Sequence, residues 1–253
     1  MESEYFCENI DLGLSRKQKN MKQYLVLLLL LPLCLFGQTE KEFFKRGMDR
    51  LMTGEFDGAS KDFTVVISLD SGNHAAFFNR GVSYQKMENF ASAVEDFDFV
   101  CAMQAKNPEA WFNRGVCKLS LEDNFGAMLD LNKAIQLSKK EARFYRYRSK
   151  AKAALSDYRG SILDVSMAMR LSEVSAELLY DRAESRLQIN DFQGAVADLD
   201  QVVRLSPNDF KGYNARAGVK FRGGDLNGAC LDWSLAGQMG DPAAYERIQK
   251  HCN

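Results

Sequence analysis

The sequence predicts an all-α protein made by stacking one helical hairpin on the next. Three observations carry this expectation. Arginine recurs every 34 residues, at Arg46, Arg80, Arg114, Arg148, Arg182 and Arg216. Aspartate recurs in the same frame, at Asp62, Asp96, Asp130, Asp164, Asp198 and Asp232. Within each repeat, two segments of helical apolar periodicity flank a turn rich in Gly, Asn, Asp or Ser, residues that tolerate unusual dihedrals or cap free backbone donors.

The first element is a leader. Residues 1–20 are polar and without sustained periodicity, and read as a disordered extension or a mis-assigned start, because Met21 opens a better-formed segment. Residues 21–38 have the parts of a secretory signal peptide: Lys22, an apolar run over Leu25–Phe36, and the small residue Gly37. The run is short for a membrane span, which takes about 20 apolar residues. An uncleaved membrane anchor is the alternative. Cys34 follows Leu31-Pro32-Leu33, a poor lipoprotein site because no small residue precedes the cysteine.

Residues 39–253 form the array. Its hairpins are 40–73, 74–107, 108–141, 142–175, 176–209 and 210–243. The eighth position of each is small: Gly47, Gly81, Gly115, Ser149, Ala183 and Ala217. So is the twentieth: Ala59, Ala93, Ala127, Ser161, Ala195 and Ala229. Large residues stand at position four (Phe43, Phe77, Trp111, Tyr145, Leu179, Tyr213) and at position twenty-four (Phe63, Phe97, Leu131, Val165, Leu199, Trp233). Small against large lets two helices approach and fill the space between them. The arginines at position seven and aspartates at position twenty-three fall at similar height on antiparallel helices. They predict an ion-pair ladder that sets register, within a hairpin or between neighbours. After the sixth hairpin, Gly240-Asp241-Pro242 ends one helix and opens another, predicting a cap helix over 242–251.

Trp111, Gly115, Ala127 and Ala134, together with Leu205-Ser206-Pro207 and the period of 34, resemble the tetratricopeptide repeat family. The resemblance covers about residues 40–243. It departs at position eleven, where an aromatic survives only as Tyr84, and in the fourth hairpin, with Ser149 and Ser161. It implies a right-handed solenoid of six hairpins plus the cap. It also implies that first helices line a concave groove that takes a peptide or a partner protein. On that basis Phe44, Phe78, Asn79, Phe112, Asn113, Tyr147 and Tyr180 are the candidate contact residues, with packing between hairpins as the competing role for the aromatics. Asn79 and Asn113 resemble the asparagines of chaperone-tail clamps in the family, but Glu109 stands where such a clamp needs a cation.

Net charge is −1, so no electrostatic footprint for nucleic acid is present. The two histidines, His74 and His251, have no metal-ligand spacing, and no nucleophile, zinc-hydrolase or phosphate-loop motif occurs. Neither catalytic residues nor a cofactor nor a metal is expected. In an oxidising compartment Cys230 and Cys252 would staple the cap helix. Cys101 and Cys117 read as buried small hydrophobes, with a second disulfide as the alternative. The reading is an exported, periplasmic or secreted, non-enzymatic scaffold of the cell envelope. An accessory enzyme and a structural spacer are the alternatives.

Overall fold

The computed structural model describes residues 39–252, and all its regular elements are helices. Residues 1–38, with Cys7, Cys34 and the segment expected to be a signal peptide, lie outside the described residues. Helix α1 covers 39–53. The others are α2 (Phe56–Leu69), α3 (His74–Lys86), α4 (Phe90–Met103), α5 (Pro108–Ser120), α6 (Asn124–Leu137), α7 (Ala142–Ala154), α8 (Tyr158–Leu171), α9 (Ala176–Gln188), α10 (Phe192–Leu205), α11 (Phe210–Arg222), α12 (Leu226–Gln238) and α13 (Ala244–His251). From α4 on, each helix starts 34 residues after its counterpart in the preceding hairpin.

Local chemistry sets those starts. Position fifteen of every hairpin has a positive φ, at Gly54, Glu88, Glu122, Ser156, Asn190 and Gly224. One residue later, Asp123, Asp157, Asp191 and Asp225 accept a hydrogen bond from the backbone N–H of Gly126, Gly160, Gly194 and Gly228, at 2.8–2.9 Å. A Cβ on any of those four glycines would lie 2.0–2.2 Å from the capping carboxylate. These glycines stand in the first turn of the second helix and let the capping carboxylate come close, whereas in the second hairpin Ser92 takes this position and its N–H meets the Asn89 cap at 3.4 Å.

Two compact bodies divide the chain, one ending at Ser83 and the other beginning at Tyr84. In the N-terminal body, Ala59, Phe63, Val66 and Ala76 form a core against Phe43, Phe44, Met48, Leu51 and Ile67. Gly47 is needed there, since a Cβ would meet the Phe63 ring at 2.9 Å.

The C-terminal body is a solenoid. Each helix packs on the next, from α4 with α5 through to α12 with α13. First helices also touch directly, α5 with α7 and α7 with α9, while no comparable contact joins the second helices of this body. First helices therefore line its inner face. The cap helix begins at Ala244, two residues later than the sequence suggested, because Asp241 uses its carboxylate to hold the N–H of Ala243 in a turn (3.1 Å).

The charged columns form the ladder. Five of the six registers lie within one body, and in each the position-seven arginine pairs with the aspartate of its own hairpin at 2.5–2.6 Å. Arg80 and Asp96 fall in different bodies. The aspartates are 1–5% exposed, so each would be costly without partners. Every one of the five gains a second cation from position eleven: Arg50, Lys118, Lys152, Arg186 or Lys220, at 2.7–2.9 Å. The arginine's third nitrogen reaches back to position twenty-five of the preceding hairpin. Arg80 meets Thr64 at 3.2 Å, Arg114 meets Asp98 at 2.6 Å, Arg148 meets Asn132 at 2.8 Å, Arg182 meets Ser166 at 3.1 Å and Arg216 meets Asp200 at 2.7 Å. Position-four rings lie under the guanidiniums, 4.6–5.5 Å away, at Phe43, Phe77, Trp111, Tyr145 and Tyr213.

Candidate functional site

The candidate contact residues sort by body and by burial. In the N-terminal body Phe44 is half-buried, edge-on to Phe63 at 5.6 Å. Phe78 and Asn79 are half-buried on α3, and the Asn79 side chain donates to the carbonyl of Ala75 (2.9 Å).

In the C-terminal body Phe112 is core. It is 6% exposed, stacked on Phe144 at 4.8 Å and edge-on to Tyr147 at 5.3 Å. Its ring joins α5 to α7 and offers little area to a partner. Asn113 donates to the carbonyl of Glu109 on its own helix (2.9 Å), one turn earlier. Tyr147 stays half-buried, with the exposed Lys150 ammonium 5.5 Å above its ring.

Tyr180 lines a notch that sequence reasoning missed. The notch lies on the inner face between α9 and α11 and holds about 260 Å³. Its floor is apolar, from Ala183, Leu187, Leu199 and Val219, and its rim carries Glu184, Asn214 and Arg222. Two small residues open it. Position six is Lys45, Asn79, Asn113, Tyr147 and Asp181 in the first five hairpins but Ala215 in the sixth. Position nine is Met48, Val82, Val116, Lys150 and Glu184, then Gly218. A Cβ on Gly218 would meet nothing within 4 Å. Packing therefore does not require this glycine, although a mid-helix glycine costs ~1 kcal/mol against alanine. Comparing the columns would have found it.

The Tyr180 hydroxyl is buried and has no hydrogen-bond partner. Burial, with the Asp209 carboxylate second, pushes its phenol above the usual range. An orphaned hydroxyl costs about 1–3 kcal/mol.

Charges on the inner face are partly spent. Arg143 pairs with Glu109, and Arg146 holds Glu177 at 2.6 Å and Asp181 at 3.1 Å. Among the described residues Lys150, Glu184 and Arg222 make no ion pair. The Asn214 amide donates to Asp241 (2.8 Å) and its carbonyl accepts from Arg247 (3.2 Å). No group of three or more His, Cys, Asp or Glu among the described residues is placed to hold a metal. No described helix is long and apolar enough to cross a membrane.

Cys101 and Cys117 are free buried thiols, and burial pushes each up to about 12, far from a reactive thiolate. Cys230 and Cys252 are joined by a disulfide, with Cα atoms 5.9 Å apart.

A family model described as tetratricopeptide repeat matches residues 78–143 and 180–238. No curated protein matches the chain. Solved structures share its fold at low identity. The C-terminal part of a TPR repeat-containing protein from Cytophaga hutchinsonii is 14% identical, with a TM-score of 0.69 over 82% of this chain and 83% of that one. PilF from Pseudomonas aeruginosa is 13% identical, with a TM-score of 0.67 over 85% and 98%. YrrB, described as a TPR protein with an unusual peptide-binding site, is 13% identical, with a TM-score of 0.64 over 74% and 97%.

Proposed function

The chain belongs to the tetratricopeptide repeat family, and we propose that it is a non-enzymatic scaffold of the cell envelope that holds an extended segment of a partner protein. The segment lies along the inner face of the first helices. One observation carries the reading: the notch between α9 and α11, left open by Ala215 and Gly218 at columns filled in other hairpins. A partner side chain enters the apolar floor, while Glu184 and Arg222 at the rim, and Lys150 on α7, meet its backbone and polar groups. Export rests on the signal-like segment over 21–38. YrrB supports the peptide class, since its description carries a peptide-binding site.

The test is proximity labelling with the full chain in its native cell. Gly218→Leu directs a side chain into the notch from a position where the first added carbon meets nothing within 4 Å, and Lys150→Glu reverses an exposed charge on α7. Leu163→Glu, on a residue 69% exposed on α8, is the control. Loss of a labelled partner from the inner-face variant, with the control unchanged, is expected. Identical labelling by all three proteins overturns the reading.

A further inference from the structure

Helix α13 starts 34 residues after α11, so it is the first helix of a seventh hairpin. Its packing is thinner than that of any other first helix in the C-terminal body. It is eight residues long, buries only Ala244 and packs on α12. A helix so short does not hold its shape alone. Besides the packing of Ala244 and Ile248, three things keep it in place. His251 lies 4.6 Å from the Phe221 ring and 5.7 Å from Trp233. Arg247 and Asp241 pair at 2.5 Å and both bond Asn214. The third is the Cys230–Cys252 disulfide.

That disulfide is within reach of solvent. Both cysteines are half-buried, and they line an open hollow of about 520 Å³ with Leu226, Leu231, Ser234 and Ile248. We propose that Cys230–Cys252 is a redox latch: a dithiol reductant opens it, and α13 then leaves the end of the array while the other hairpins stay folded. A thiolate of the reductant attacks one cysteine sulfur, the S–S bond breaks, and a mixed disulfide forms. The reductant's second thiol resolves it. Two cysteine thiols and one disulfide on the reductant result, so two electrons and two protons pass to the protein.

Two consequences follow from the contacts. Trp233, 5% exposed beneath the cap, loses His251 and Ile248. Asn214, on the inner face beside the notch, loses Arg247. The state of the disulfide is thereby felt on the face that the proposed function uses, although the latch itself stands without that function.

Hydrogen exchange on the full chain tests this, with dithiothreitol as the reductant and thiols counted by alkylation and mass. Closing a loop of this size constrains the open state by on the order of a hundredfold. Amide protection in 244–251 is therefore expected to fall by about that factor on reduction. Protection in α9 and α10 is expected to hold. Acrylamide quenching of Trp233 is expected to rise, and Cys252→Ser is expected to match the reduced wild type. The proposal is overturned if α13 keeps its protection once both thiols are counted. It is overturned equally if α9 and α10 lose protection together with α13, or if the folded disulfide resists dithiothreitol that reduces the urea-unfolded chain.

Discussion

Replacing Asp130 by alanine removes the centre of one rung of the ladder. Asp130 is 3% exposed. Arg114 grips it with two nitrogens, at 2.8 and 2.5 Å, and Lys118 adds a third contact at 2.9 Å. Without the carboxylate, two cations with side chains only 14% and 20% exposed are left together. Breaking a buried pair costs about 3–5 kcal/mol. Arg114 retains Asp98 at 2.6 Å, so Asp130→Ala is expected near ~3 kcal/mol, the lower end of that range. Arg114→Ala leaves Asp130 with Lys118 and is expected to cost less, about 2 kcal/mol. Lys118→Ala leaves the bidentate pair intact and is expected to cost about 1 kcal/mol. Urea unfolding of the three single variants and the Arg114→Ala/Asp130→Ala double variant gives the order and the coupling. A coupling above ~1 kcal/mol is expected, since the second loss no longer strands a charge. Additivity within ~0.5 kcal/mol, or a Lys118→Ala loss equal to that of Asp130→Ala, would refute the reasoning.

Ser156 has φ 63°, where a side chain costs about 1–2 kcal/mol and glycine costs little. Ser156→Gly is expected to raise stability by ~0.5–1 kcal/mol after the glycine entropy is subtracted, and an unchanged or lower urea midpoint would contradict this. Asp62 titrates below the ordinary carboxylate range because Arg46 hydrogen-bonds it, against the opposing effect of burial and with the charges of Arg46 and Arg50 assisting. A depressed folded value stabilises above the unfolded one, near pH ~3.9, and that contribution disappears as pH falls through the folded value. Amide protection of α2 is therefore expected to hold from neutral pH to about pH 5 and to fall below about pH 4. Loss already complete at about pH 5 would sink the assignment.

The hairpins were legible because each structural demand repeats. A left-handed residue recurs at position fifteen of every hairpin, and a capping carboxylate at sixteen with a glycine at nineteen recurs in four of the six, so helix starts follow the period. The pairing of positions seven and twenty-three was legible for the same reason. Its second cation was not, although the column Arg50, Lys118, Lys152, Arg186, Lys220 was in plain view. The family resemblance directs attention at position eleven to a missing aromatic, not to the cation that replaced it. Position twenty-five is not legible as a column either. Thr64, Asp98, Asn132, Ser166 and Asp200 are different residues, united only by accepting a hydrogen bond from the next hairpin's arginine. The candidate contact residues were harder to read. An aromatic at position five can stand in the core, as Phe112 does, or line a notch, as Tyr180 does, depending on its neighbour's size.

The regularity of the ladder also means that a site for one partner lies where columns break. A residue that repeats through every hairpin answers a demand every hairpin shares, and a partner bound at one place makes no such demand. Gly218 and Ala215 break two inner-face columns in the sixth hairpin and open a notch. The seventh first helix breaks the ladder itself: position seven is Lys250 in place of arginine, and position nine is Cys252. Cys252 is bonded to Cys230, at position twenty-one of the sixth hairpin, where other hairpins carry Ser60, Val94, Met128, Ile162 and Val196. A covalent tie thus joins α13 to the second helix of the sixth hairpin, at columns that no bond joins elsewhere in the described array. Ion pairs of the ladder respond to pH and salt, whereas a disulfide responds to thiols. If α13 served only to cover an apolar end, an ordinary rung or a larger buried face would serve as well. The disulfide makes α13, and through Arg247 and Asn214 the rim of the notch, answerable to redox state.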